Sequence, residues 1–193
     1  MTDPTAPLDR LSPMLSPLAR GLFAAILLPY FWASAVTKLG EGTLGFLHPS
    51  TGAYAQIFPR VFEAAGYDEA QLGMFHWAIT VAGTWAEFLL PVLVVLGVAT
   101  RLSALGMICF IVVQSLTDLV GHGGLDQLET RGAWFDRWPD GVILDQRALW
   151  VFLLAVLVIK GGGPLALDRV IFRSADVPRP GDQRPAPAGP RPR

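Results

Sequence analysis

The chain carries one cysteine, Cys109, in 193 residues. No internal disulfide and no CxxC pair can be built from it, which excludes thiol–disulfide exchange within the chain. Because Cys109 lies inside an apolar run, it reads as a small core residue rather than a nucleophile. Charge is scarce as well: Asp, Glu, Lys and Arg together make 16% of the chain, against about 25% in an ordinary soluble domain. A net charge of −1 leaves no basic footprint for nucleic acid. No Walker loop, dinucleotide fingerprint, HExxH or GxSxG is present, and Gly161-Gly162-Gly163 lacks the context of a phosphate loop. No flavin, haem or iron–sulfur motif appears either, so no intrinsic cofactor is expected.

What is present is apolar: 52% of residues, with the charges gathered into loops and termini. Four segments are apolar enough to cross a bilayer, at about 21–38, 75–98, 102–121 and 147–163. The second and third are separated only by a few residues around Ala99-Thr100-Arg101, which predicts a tight antiparallel hairpin. The fourth is the shortest, and Lys160 would have to snorkel to extend it, with Trp150 as the anchor at the other end. The expectation is an all-α integral membrane four-helix bundle over residues 20–173. It is preceded by an unstructured N-terminus (1–19) and followed by a disordered tail rich in proline and arginine (174–193).

Arg10, Arg20, Arg101, Lys160, Arg169, Arg173, Arg179, Arg184, Arg191 and Arg193 fall on the side of the termini; Lys38, Arg60, Arg131, Arg137 and Arg147 fall on the other. Ten against five predicts both termini in the cytoplasm. Arg10, Arg20 and Ala33-Ser34-Ala35 also resemble parts of a signal peptide, but cleavage would leave an odd number of spans. In the first outer loop, Ile57, Val61, Phe62 and Ala65 recur at near-helical spacing, which predicts a short helix on the membrane surface. The second, acidic outer loop could cap the bundle.

Glu87 stands alone in the middle of the second span, where a carboxylate costs about 2.5–3.5 kcal/mol. His76, Thr80, Gly83 and Glu87 share one helical face; Tyr30, Ser34 and Lys38 share another, and Gln114, Asp118 and His122 a third. Tyr30 and Glu87 fall near the midplane, and Lys38, His76, Asp118 and His122 toward the outer ends. An outward funnel ending at Glu87 follows, with Glu87, Tyr30, His76 and Thr80 as the candidate quinone or proton site and Lys38, Gln114, Asp118 and His122 as its outer polar part. As a purely structural acid, Glu87 would bond Tyr30, Thr84 or a backbone carbonyl. Pro91 frees the carbonyl of Glu87, and Pro29 that of Ala25. Lys38 and Arg101 read most simply as interface anchors, and Trp32, Trp77 and Trp150 as an aromatic belt. His76 and His122 are weak metal candidates, because no tight ligand spacing is present.

Three segments resemble signatures of the DoxX family. They are Ser34-Ala-Val-Thr-Lys38-Leu39, the stretch from Ala86-Glu87 to Gly97-Val-Ala-Thr100-Arg101 and on to Leu105, and Gly161-Gly-Gly-Pro164 to Leu167-Asp168-Arg169. They stand in family order on four spans, between Arg20 and Phe172. Ala35, Pro91 and Ala166 depart from the usual pattern. The resemblance implies a four-helix membrane bundle in a bacterial inner membrane. It implies much less about activity: the family takes its name from a subunit linked to thiosulfate:quinone oxidoreduction, and other members resemble partners of oxidoreductases or accompany sulfur, oxidative-stress or metal-handling proteins. Three functions are therefore open: a quinone-linked oxidoreductase subunit fed by a protein partner, a non-enzymatic anchor or assembly partner, and metal or small-solute handling through the funnel. Contact with lipid is common to all three, and a homo-oligomer is compatible with each.

Overall fold

The structure, a computed structural model, describes residues 6–175; most of the tail expected to be disordered (174–193) lies outside the described residues. Helices follow in chain order: α1 (Leu15–Val36), α2 (Thr51–Ile57), α3 (Pro59–Ala64), α4 (Met74–Leu96), α5 (Thr100–Leu116), α6 (Leu128–Arg131), α7 (Arg147–Lys160) and α8 (Leu167–Ala175). No strand occurs among the described residues. Four stretches are long and apolar enough to span a membrane: Leu8–Val36, Met74–Leu96, Thr100–Gly121 and Val142–Lys160. Residues 6–19, expected to lack structure, are instead helical: a 3₁₀ stretch, Ala6–Met14, runs directly into α1. The fourth span gains its length at the other end from the one expected. A wide turn, Val142–Gln146, precedes α7 and completes 19 residues without recruiting residues beyond Lys160.

The four long helices form a closed square, in which α1 and α5 each pack against both α4 and α7. Phe23, Leu27 and Phe31 recur every fourth residue of α1 and are fully buried against Val94, Ala104, Met107, Ile111, Leu154 and Leu157. Lipid is as apolar as these side chains, so close packing rather than release of water holds the square together. Ala104 supplies the close approach, and the edge-on contact of Phe31 with Phe110 fills the centre.

The hairpin between α4 and α5 is built by specific residues. Gly97 ends α4 at φ +71°, and the N–H of Val98 reaches back to the Leu93 carbonyl at 3.0 Å, the six-to-one bond of a glycine C-cap. A side chain at Gly97 would also meet Ala166 and the Arg20 guanidinium. The cap of α5 comes from far along the chain. Asp168 accepts from the Ala99 N–H (2.6 Å), the Thr100 N–H (2.8 Å) and the Thr100 hydroxyl (2.7 Å).

Burial pushes the Asp168 carboxyl up, but the bonds from Thr100 and Ala99 and the charge of Arg20 outweigh it and hold the group below its usual range. A carboxyl depressed in the folded state adds stability above its unfolded value and loses it as pH falls through the folded one. Asp168→Ala is expected to cost about 1–2 kcal/mol near neutrality, the upper range for a lost N-cap. The gap to wild type should close as pH drops below about 4. Melting in detergent at two pH values checks this, and a gap that did not change with pH would count against the cap.

The first loop differs from expectation. In place of one surface helix there are two short ones, broken at Phe58, because Pro59 starts α3 and disfavours helical backbone in the residue before it. Ala53, Tyr54 and Phe62 are buried, so the pair packs on the bundle.

Candidate functional site

The side chain of Lys38 settles the geometry of the site. Lys38 lies just beyond the end of α1, yet it turns inward and is buried. Its Nζ lies 2.9 Å from Glu87 Oε2 and 3.1 Å from Oε1, and it bonds Ser34 Oγ at 2.7 Å and the Ser34 carbonyl at 3.2 Å. The Ser34 hydroxyl donates in turn to Glu87 Oε1 at 3.2 Å. The two charged side chains are 6% and 3% exposed. Lys38 is therefore not the interface anchor expected. Its side chain runs back toward the helix N-terminus, as side chains do at a helix end, and meets Ser34 one turn below.

The helices are staggered, which explains the depth. Loop residues Leu39 and Phe46 lie beside Thr84, Trp85 and Phe88 in the middle of α4, and the Phe46 and Trp85 rings meet at 5.9 Å. α1 thus ends far below the start of α4, and Lys38 sits level with Glu87. Glu87 is nine residues from the end of α4, or about 14 Å at helical rise. The pair therefore lies near the middle of an apolar layer about 30 Å thick.

The partners expected for Glu87 are engaged elsewhere. The Thr84 hydroxyl donates to the Thr80 carbonyl (2.8 Å) and that of Thr80 to the His76 carbonyl (2.8 Å), so both threonines bond their own helix. The Tyr30 hydroxyl accepts from Gln114 Nε2 at 3.1 Å, and the Tyr30 ring packs on Trp150.

A cavity of about 470 Å³ opens beside the ion pair. The tight hairpin holds α4 and α5 together at the Gly97 end, where Leu90 lies against Gly106. Beyond that level the facing residues Ala82, Gly83 and Ala86 are too small to fill the gap. Ser34, Lys38 and Glu87 form its inner wall; Gln114, Thr117, Asp118, His122 and Gln56 line it toward the loops. Exposed Ile79, Ala82, Cys109 and Val113 form its rim on the lipid side. Cys109 is thus exposed and not in the core, because its position on α5 turns toward the gap.

Of the residues expected at the site, Glu87, Lys38, Gln114, Asp118 and His122 line this one cavity, whereas Tyr30, His76 and Thr80 do not. His76 stands edge-on to Phe58 and Phe75, and its Nδ1 is buried without a partner among the described residues. His122 Nε2 bonds the Gln56 carbonyl at 3.0 Å. No group of three metal-binding side chains forms among the described residues, so the two histidines are not brought into a metal centre.

Sequence reasoning missed Arg147. It is buried at the start of α7, bonds Asp118 Oδ2 at 2.6 Å and Ser115 Oγ at 3.2 Å, and fixes the cavity's acidic edge. Its place between an acidic loop and an apolar span, opposite Asp118 on the neighbouring span, was the available signal. Arg20, counted only as a basic residue of the terminal side, is buried as well. It donates to the carbonyls of Val94 (3.2 Å), Val95 and Gly162 (3.0 Å), closing the end of the bundle opposite the cavity.

Four apolar helices around a buried ion pair and a side-opening cavity define an integral membrane protein of the four-helix type. A family model for DoxX matches residues 22–118, half of the chain, and the chain belongs to that family. The matched region carries Ser34, Lys38, Glu87, Gln114 and Asp118. No curated protein and no solved structure matches the chain.

Proposed function

We propose that this DoxX-family chain is the membrane subunit of a quinone-linked oxidoreductase system. It would lie in a bacterial inner membrane with both termini cytoplasmic, as the basic residues favour. The supporting observation is the cavity, which sits at bilayer depth, opens toward lipid, and has the Lys38–Glu87 pair on its inner wall.

The residues fit such a ligand. An apolar slot between Leu90, Phe110 and Val113 accepts a flat ring, and the exposed rim lets an isoprenoid tail leave into the bilayer. To donate to a ring carbonyl, Lys38 or Ser34 would exchange a bond that it now makes to Glu87, whose carboxyl group is then placed to take or give a proton. Gln114 Oε1, in the part of the lining toward the loops, is buried without a partner among the described residues, which leaves an acceptor for a ring hydroxyl. A quinone takes up two electrons and two protons to become the quinol. The electrons come from a partner oxidoreductase, and this chain binds, orients and exchanges protons.

Cys109 provides the test. A membrane-permeant maleimide should label it in the purified protein, and decylubiquinone or a menaquinone analogue should slow that labelling severalfold. Gly83→Leu, which fills the slot, should abolish the protection. Labelling indifferent to saturating quinone would sink the proposal. With the partner complex assembled, Glu87→Gln should lower quinone turnover; unchanged turnover would leave the chain as an anchor, with the ion pair as internal support.

A further inference from the structure

The chain beyond the fourth span is bent back onto the bundle and fastened there. A Cβ at Gly162 would run into Ala166 and Thr100; one at Gly163, which sits at φ +76°, would meet Ser16 and Pro17. Arg20 holds the Gly162 carbonyl, the Asp168 N–H donates to the Gly97 carbonyl at 2.9 Å, and the Asp168 carboxylate caps α5. The first turn of α8 is therefore bolted to the point where α4 ends and α5 begins, which is the edge of the apolar layer.

From that point α8 runs nine residues with strong amphipathic character. Leu167, Val170 and Ile171 follow the i, i+3, i+4 spacing of one face, with Arg169 turned away from it. The sequence places a second arginine four residues on, at Arg173. Leu167 and Ile171 are exposed, as is Leu165 just before them. Exposed Arg101 and Lys160 add positive charge at the same end of the bundle. A nine-residue helix with three charges is far too short and polar to cross, and its bolted first turn keeps it from leaving the membrane edge.

We propose that α8 is an in-plane membrane helix that seats Leu167 and Ile171 at the headgroup boundary and draws anionic lipid headgroups to Arg169, Arg101 and Lys160. The bilayer is the occupant that the position dictates: an apolar face held at the rim of four spans meets lipid first, and the surrounding cations match an anionic leaflet. This inference stands apart from the quinone reading.

The test uses the full chain with Cys109→Ala, a spin label at Ile171→Cys or Arg169→Cys, and reconstitution in phosphatidylcholine nanodiscs with or without phosphatidylglycerol. The label at 171 should be reached severalfold better by oxygen than by a nickel chelate, and the label at 169 the reverse. Phosphatidylglycerol should raise the oxygen preference at 171, and the pair Arg169→Gln and Arg101→Gln should remove that rise. Equal access of the nickel chelate to both positions would put α8 in water and overturn the proposal. Protection of 171 from both reagents would place protein over it, with the same consequence. No response to phosphatidylglycerol would remove the anionic-headgroup part.

Discussion

Lys38→Met is expected to destabilise the protein by about 3–5 kcal/mol, because it strands Glu87 as an unpaired charge in a low-dielectric interior. Each partner of the pair is nearly inaccessible to water, and Ser34 alone can offer Glu87 only one neutral hydrogen bond. Glu87→Leu strands the ammonium in the same way and should cost a similar amount. The double variant Lys38→Met/Glu87→Leu removes both charges, so it should be more stable than either single variant, since a buried ion pair gives little net stability over apolar residues of similar volume. Titration with a denaturing detergent, read as helix content, measures the cycle. Single-variant costs that simply add in the double would show that the two groups do not act as a pair. The expected rescue also separates structure from function. If the double variant folds and no longer protects Cys109 with quinone, the pair serves the ligand and not the bundle alone.

Arg20→Met should cost about 2–3 kcal/mol, because it leaves the buried Gly162 carbonyl and the half-buried Val95 carbonyl short of a donor, at about 1–3 kcal/mol for a fully buried group and less for a half-buried one. Val94 and Val95 lie in the last turn of α4, where carbonyls lack helical partners and the negative end of the helix dipole favours a cation. Arg20→Lys should restore only part of the loss, since one ammonium cannot reproduce a planar fork that spans two chain segments. Arg10→Met, on an exposed residue of the same end, is the control and should stay within about 0.5 kcal/mol of wild type. An Arg20→Met variant indistinguishable from that control would overturn the assignment. Limited proteolysis adds a second reading: loss of the Gly162 bond should expose residues 161–166 to cleavage before the spans are lost.

Much of the architecture was readable from the chain because hydropathy is a local property. Four apolar runs, a three-residue hairpin and polar residues at helical spacing specify four spans and the faces that turn inward. Glu87 was legible as the group around which the interior is organised, since a lone carboxylate in an apolar run must find a partner. Its partner was not legible. Lys38 is 49 positions away, and counting residues from the end of each span assumes that the spans start level. The stagger of α1 against α4 shifts that count by about one to two turns and brings the apparent interface lysine to the midplane. The same error assigned Tyr30 the level that Ser34 occupies. His76 and Thr80 share a stripe with Glu87, yet Thr80 bonds its own helix and His76 lies among phenylalanines, so a common face did not mean a common site. Cys109 and Arg147 were misread for a related reason: which side of α5 faces a gap, and which loop residue is swallowed at the start of α7, depend on how the helices splay.

The sequence by itself determined that this protein is a four-span membrane bundle with a carboxylate at its centre, and its motifs pointed to the DoxX family. Those are properties of runs and spacings. Tertiary structure alone decided that Glu87 pairs with Lys38 and Ser34, that small residues on α4 leave a cavity beside them, and that Asp168 and Arg20 fasten the opposite end. Each of these is a contact between segments far apart in the chain, fixed by the relative height and splay of helices that no single helix specifies.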